Sequence, residues 1–403
     1  MILSLPESKG DSYSPLYLLA SVGAGGLAVS FFMYLMFWVS HPGQPVPVFE
    51  DIASAFATGS LWLQTSIVIA LLGIVFFVFT EFRLLWWNLR ELKRFRASET
   101  WSKAAKTNAE TQMLALPLAL AMAVNAAFIV GLVFVPGLWS VVEYLFPVAM
   151  LVFIAIGIQA FRLIGRFMAR VLTEGGFNCA ANNSFAQMLP AFALAMTGVG
   201  LAAPAAMSQV PGIVALSLAL STFFIVAALI IAAVAFILGF RAMMENGAAT
   251  ESAPTLMILV PLMTIVGIAF LRQGHGLSTT FESGPAPVDT LMFLMRMLAV
   301  QLVFLGLGLA VLVRQGYAKT FLFGDKRSAG SYALVCPGVA LSVMLHFFIN
   351  KGLVEAGIIA KFGGAFWSLT AIALLVQVIT IGLVLLLNRR HFGHTKMGKH
   401  HYA

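Results

Sequence analysis

Ten long apolar stretches constrain this chain more than any other feature of its sequence. Each is close to the length a helix needs to cross the hydrocarbon core of a bilayer, about 20 residues. Backbone polar groups in hydrocarbon are satisfied only within helices or a closed barrel, and stretches this long are typical of helices. We therefore predict ten membrane-spanning helices, numbered here as spans 1 to 10. They cover 15–40, 58–83, 112–135, 138–163, 185–206, 212–240, 255–271, 290–313, 331–350 and 365–388.

The composition excludes a soluble protein. Of the 403 residues, 60% are hydrophobic and 10% are charged, and the mean hydropathy is +0.95. Soluble domains carry about 25% charged residues. A net charge of +8 would suit a nucleic-acid partner in a soluble protein, but here the basic residues lie in the loops between apolar stretches. We expect contact with membrane lipid and no binding of nucleic acid.

The distribution of lysine and arginine predicts the orientation of the chain. One side of the predicted membrane carries 20 basic residues, and the other carries only Arg272, Lys351 and Lys361. Loops rich in lysine and arginine stay in the cytoplasm. This pattern predicts a bacterial inner (plasma) membrane protein with a ten-helix domain at 15–388. Its cytoplasmic parts are the tail 1–14, the basic segment 84–111 and the tail 389–403. We interpret the basic segment as a solvated determinant of topology, with anionic lipid or a partner protein as the alternative.

An internal repeat links four of the odd-numbered spans. The stretches TQMLALPLALAM, SFAQMLPAFALAM, APTLMILVPLM and SYALVCPGVALSVM share a mid-span proline, and successive prolines are 73, 71 and 76 residues apart. A period this regular indicates repeated helical hairpins. Span 1 has a cluster of glycines, beginning at Gly23, at the comparable depth. We therefore predict five hairpins whose odd-numbered helices are interrupted at one depth and surround a central pore. The prolines are Pro117, Pro190, Pro261 and Pro337.

The chemistry of these interrupted helices favours passive movement of anions. A proline leaves the carbonyl four residues earlier without its usual partner, and such backbone is tolerated in a membrane where it lines a cavity. Exposed helix N-termini favour anions. The odd-numbered spans contain no Asp, Glu, Lys or Arg, whereas a proton-coupled carrier usually keeps an intramembrane acid. Glu81, Glu143 and Asp289 fall at span ends, and we expect Arg296 of span 8 to pair with Glu143 or Asp289.

No catalytic or metal-binding pattern occurs in the sequence. It lacks a Walker A sequence, an HExxH sequence and a GxSxG sequence with partners for a triad. The two cysteines, Cys179 and Cys336, form no metal or disulfide pattern. The histidine-rich end HFGHTKMGKHHYA is interpreted as a solvated tail. We therefore predict that the protein is not an enzyme and needs no cofactor.

Three stretches carry a resemblance to a known family: PLYLLASVGAGGLAVS in span 1, NNSFAQMLPAFALAM in span 5 and MILVPLMTIVGIAFLRQGHG in span 7. With the basic segment after span 2, they resemble the tellurite-resistance/dicarboxylate transporter family, which includes plant slow anion channels and fungal malate and sulfite transporters. The resemblance covers about 15–387. It implies five helical hairpins around a quasi-fivefold axis and a homotrimer with one pore in each subunit. The implied substrates are chloride, nitrate, sulfite or C4-dicarboxylates.

Two positions depart from the family's pattern. Span 1 has Gly23 and Ala24 where the family often has a proline. Span 9 has Cys336 where relatives carry an aromatic residue that plugs the pore. Positions three apart share a helix face, and Phe192 is the only aromatic residue at the equivalent positions of the four repeats. We predict that Phe192 takes over the plugging role, with simple packing between helices as the alternative.

The predicted function is a passive channel for small inorganic or organic anions. One alternative is a proton-coupled secondary transporter or exporter of dicarboxylate, sulfite or tellurite-type oxyanions. Another is a membrane anchor subunit of a quinone-linked oxidoreductase, which should show polar clusters inside its spans. The gate candidates are Phe192 and Cys336. The full predicted pore lining is Gly23, Ala24, Leu116, Pro117, Ala119, Leu189, Pro190, Phe192, Val260, Pro261, Met263, Cys336, Pro337, Gly338 and Val339.

Overall fold

The computed structural model describes residues 6–393, and within this range it is all-helical, without strands. Ten of its helices are long and apolar enough to cross a membrane, which confirms the predicted polytopic fold. Two short helices, Phe49–Thr58 and Glu99–Ala104, lie in the connections. The ten long helices are α1 (Pro15–Trp38), α2 (Leu61–Arg96), α3 (Asn108–Phe134), α4 (Leu138–Glu174), α5 (Ala186–Met207), α6 (Pro211–Asn246), α7 (Ala253–Thr280), α8 (Pro287–Arg314), α9 (Ala329–Val354) and α10 (Gly364–Phe392).

The odd-numbered helices form an inner ring and the even-numbered helices surround it. In their most apolar segments, 61–94% of the residues of the odd-numbered helices are buried, against 17–33% for the even-numbered helices. Each odd-numbered helix packs against the next one, in the order α1, α3, α5, α7 and α9. The ring is closed by contacts between α9 and α1. Each odd-numbered helix also packs against the even-numbered helix that follows it. These contacts are those of five hairpins around a common centre.

The four repeated prolines mark a change of helix type. Each odd-numbered helix begins with a 3₁₀ segment and continues as an α-helix. Each repeated proline falls at the second or third residue of its α-helical segment. The first turn of an α-helix has N–H groups without partners, so proline costs little there. The carbonyl four residues before each proline was expected to lack a hydrogen-bond partner. This does not hold for Ala186, whose carbonyl accepts a hydrogen bond from the Leu189 N–H.

Both ends of the described chain lie at the same end of the helix bundle. The Lys9 ammonium donates a hydrogen bond to the His391 carbonyl at 2.7 Å, and Ser8 donates to the Glu91 carboxylate at 2.8 Å. We call this the basic end, because it also carries the basic segment 84–111. The α2 helix continues to Arg96, well beyond the end of predicted span 2. The C-terminal histidine-rich tail falls largely outside the described residues.

Candidate functional site

A cavity of about 1090 Å³, which we call the vestibule, occupies the ring at the end opposite the basic end. All five odd-numbered helices line it, together with parts of α4 and α8. Its walls run from the chain after α1, at His41 and Gln44, inward to Pro261 and Cys336. The vestibule therefore reaches from one end of the bundle to the depth of the repeated prolines.

Five residues of the predicted pore lining meet at the deep end of the vestibule, which we call the floor. They are Gly23, Phe192, Pro261, Cys336 and Val339. Phe192 is 3% exposed and Cys336 is 8% exposed. Both gate candidates are therefore buried residues of the floor.

Glycines of α1 allow α9 to pack closely beside the floor. A Cβ atom at Gly23 would lie 2.6 Å from a methyl carbon of Val335, and one at Gly26 would lie 2.8 Å from a methyl carbon of Val339. Carbon atoms in contact are usually about 3.5–4.0 Å apart. Any side chain at these two positions would thus push α1 away from α9.

The other ten residues of the predicted lining lie away from the vestibule. Ala119 and Val260 are fully buried between helices, and Gly338 packs against Thr380 of α10. Both positions used for the prediction, the one before each proline and the one two after it, lie in α-helical segments, but only α5 and α9 turn either of them toward the vestibule. The face that points inward therefore differs from helix to helix. The ten are Ala24, Leu116, Pro117, Ala119, Leu189, Pro190, Val260, Met263, Pro337 and Gly338.

All three basic residues of this end of the bundle line the vestibule. The Arg272 guanidinium donates to the Val199 carbonyl at 2.8 Å, which leaves its other N–H groups free of described partners. The Lys361 ammonium lies 5.2 Å from the centre of the Phe362 ring. Neither Arg272 nor Lys361 forms an ion pair with any carboxylate of residues 6–393. Lys351, in a π-helical turn that ends α9, pairs with Glu355 at 2.6 Å.

The two acidic groups of the vestibule differ, because Glu355 is in an ion pair and Asp289 is not. Glu355 holds Lys351, and the Asp289 carboxylate accepts a hydrogen bond from the Ala286 N–H at the start of α8. Burial lowers the pKa of the His41 imidazole below its usual 6.5, so His41 is neutral at pH 7 and adds no fixed charge. The lining carries three basic side chains, Arg272, Lys351 and Lys361, and two acidic ones, Asp289 and Glu355, so its formal charge is +1. Arg272, Lys361 and Asp289 lie outside the ion pairs of residues 6–393.

The structure contradicts the expected pairing of Arg296 and places Glu81 in the interior of a long helix. Glu81 lies within α2 rather than at its end, it is fully buried, and neither carboxylate oxygen has a hydrogen-bond partner. Arg296 does not pair with Glu143, which binds Ser208 and the Gln209 N–H, nor with Asp289. Arg296 instead lies exposed on α8, without an ion pair in the described part of the chain.

The sequence contained one signal for the charged vestibule that our interpretation missed. Arg272, Lys351 and Lys361 were the rare basic residues on an otherwise neutral side, and we used them only to count charges. Residues 6–393 contain no group of three or more His, Cys, Asp or Glu side chains that could hold a metal ion.

Comparison of the chain with known protein families found no family that it matches. Comparison with curated proteins found no relative either.

Proposed function

We propose that this protein is a passive channel for small anions, with the vestibule as the outer half of the pathway and the floor as its gate. The observation that carries the proposal is a cavity enclosed by a complete ring of helices and lined by three basic side chains against two acidic ones. A ring of helices that excludes lipid gives an anion a route past the hydrocarbon.

Electrostatics decides which ions such a route favours. A charged vestibule with low-dielectric walls concentrates ions of opposite sign and speeds their entry. Arg272 and Lys361 lack carboxylate partners among residues 6–393, so their fields act on mobile ions. The guanidinium of Arg272 also offers N–H donors that suit oxyanions such as nitrate, sulfite or a carboxylate.

The floor separates the vestibule from the basic end. Phe192 is the only aromatic residue among the five that form the floor, and its ring is large enough to close a narrow apolar passage. Movement of Phe192, with Cys336 and Val339 across from it, opens the pathway. The residues of the floor are uncharged, so selection there depends on width and on the cost of removing water from the ion.

The surroundings of the pathway complete the proposal. The basic end faces the cytoplasm of a bacterial cell, and the vestibule opens outward. The resemblance to the tellurite-resistance/dicarboxylate transporter family adds a homotrimer with one pathway in each subunit. An exposed arginine within the membrane is costly, and a neighbouring subunit that covers α8 would supply a partner for Arg296.

The decisive experiment is a planar-bilayer recording of the purified protein in asymmetric chloride. We expect a current whose reversal potential follows the anion gradient and does not move with pH. A reversal potential that moves with the proton gradient would support a coupled carrier instead. Absence of anion current under all conditions, in correctly folded protein, would refute the proposal.

A further inference from the structure

Glu81 is the buried carboxylate that the pathway described above does not use. Its side chain is fully buried in α2, and it is the only acid of residues 6–393 with both carboxylate oxygens buried and unpaired. A Cβ atom at Gly25 of α1 would lie 2.5 Å from the carboxyl carbon of Glu81. Gly25 is about 15 Å from the start of α1 at a rise of 1.5 Å per residue. The Glu81 carboxyl group therefore packs against the interior of α1, at its glycine segment.

No charged group balances Glu81. From α1, Ser21 donates to the backbone carbonyl of Glu81 at 3.2 Å and leaves the carboxylate unpaired. The acids of the short helix Phe49–Thr58 bind backbone N–H groups elsewhere, Glu50 that of Gly137 and Asp51 that of Val48. The described ion pairs include none to Glu81. An isolated carboxylate at such a site costs several kcal/mol, so the neutral acid is the form that fits the observed packing.

Only the glycine segment of α1 separates Glu81 from the pathway. Gly25 contacts the Glu81 carboxyl group, while Gly23 and Gly26 beside it contact Val335 and Val339 of α9. Gly23 and Val339 are floor residues. A displacement of α1 at Gly25 thus acts directly on the packing of the floor.

We propose that Glu81 is a proton-binding site that controls the opening of the floor. This inference rests on the proposed function, because the response it controls is anion passage. With the proton bound, the neutral carboxyl group packs against Gly25 and holds α1 on Val335 and Val339, so the floor is closed. Loss of the proton leaves a charge that needs water. Water enters between α1 and α2, α1 shifts away from α9, and the floor widens.

The first test compares the pH dependence of anion conductance in the wild type and in Glu81→Gln, which keeps the shape of the neutral acid. We expect wild-type conductance to rise severalfold as pH rises, at an unchanged reversal potential. Glu81→Gln should stay at the low level at every pH. The control Glu99→Gln removes the same charge from an exposed position and should retain the wild-type profile. A wild-type conductance independent of pH, or a wild-type profile in folded Glu81→Gln, would overturn the proposal.

A second variant tests the contact itself. In Gly25→Ala the new methyl group overlaps the Glu81 carboxyl group, so we expect conductance to be raised and to lose its pH dependence. Adding Glu81→Ala should make room for the methyl group and restore low conductance. Additive effects of the two substitutions would show that the two positions do not act through their contact, against the proposal.

Infrared spectroscopy separates a failure of this inference from a failure of the proposed function. A protonated carboxyl group has a C=O stretching band that disappears on ionisation. We expect one such band in the wild type to titrate with pH and to be missing from Glu81→Gln. This result would establish proton binding even if no anion current were found. A wild-type spectrum from which Glu81→Gln removes no protonated-carboxyl band would contradict the inference regardless of conductance.

Discussion

Replacing Arg272 by glutamine tests whether the charge of the vestibule attracts anions. Glutamine removes the positive charge but keeps an amide N–H that can donate to the Val199 carbonyl, the bond that Arg272 makes at 2.8 Å. The packing of α7 on α5 should therefore survive. Only the field that an entering anion meets should change.

The size of the effect follows from the Coulomb energy of one charge. At about 6 Å from an anion, a unit charge contributes about 0.7 kcal/mol at a dielectric constant of about 80 and about 2.8 kcal/mol at about 20. These energies change the local anion concentration by about threefold and about 100-fold, respectively. A cavity of about 1090 Å³ holds many water molecules, which favours the smaller value. We therefore expect Arg272→Gln to reduce anion conductance about threefold, the value for a dielectric constant of about 80.

The assay is single-channel recording at two salt concentrations. The Debye length is about 30 Å at 0.01 M and about 10 Å at 0.1 M. The difference between the wild type and Arg272→Gln should therefore be larger at the lower concentration. Selectivity for anions over cations, read from the reversal potential in a salt gradient, should fall in parallel.

Arg296 provides a matched control within the same chain. Arg296→Gln removes the same charge from α8 at a position outside the vestibule lining. We expect Arg296→Gln to keep wild-type conductance per pathway. Equal conductance and selectivity in Arg272→Gln and the wild type at 0.01 M salt would refute the electrostatic reasoning.

Three further predictions concern the gate, the orientation and the assembly. Phe192→Ala should raise anion conductance severalfold, whereas Cys336→Phe should lower it. A thiol reagent that modifies Cys336 should reduce the wild-type current. Unchanged conductance in folded Phe192→Ala would exclude Phe192 as the plug. In a variant without native cysteines, a membrane-impermeant label applied from outside should react at Ser40→Cys and not at Thr100→Cys, and the reverse pattern would invert the topology. Native mass spectrometry in mild detergent should give a trimer, and a stable monomer alone would count against that assembly.

The fold was largely predictable because the bilayer imposes a length on every helix. The ten apolar stretches correspond to the ten long helices, and the proline repeat in four odd-numbered helices indicated which helices share the inner position. A hydropathy pattern, however, marks the apolar part of a helix and not the residue at which the helix ends. Because α2 continues as a charged helix to Arg96, the predicted boundary at 83 does not coincide with the end of the helix.

The site was less predictable, for two physical reasons. Arg272 and Lys351 are distant in sequence and line one cavity only because α9 closes the ring onto α7 and α1. Ring closure depends on contacts between distant segments that one sequence does not display. The side of each helix that faces inward also depends on its packing against its neighbours, so Phe192 lines the vestibule and the equivalent Ala119 does not.

In the 3₁₀ segments at the start of the inner helices, a change of helix type would alter both the length and the rotation of the helix. The seven residues Asn108–Leu114 rise about 2.0 Å each as a 3₁₀ helix and would rise about 1.5 Å each as an α-helix. Full conversion would therefore shorten this end of α3 by about 3.5 Å and rotate the remainder by about 140°, since each residue turns 120° in one form and 100° in the other. Such a conversion at the basic end would therefore couple a shortening of the helix to a rotation, and would change the side chains that it presents at the centre of the ring.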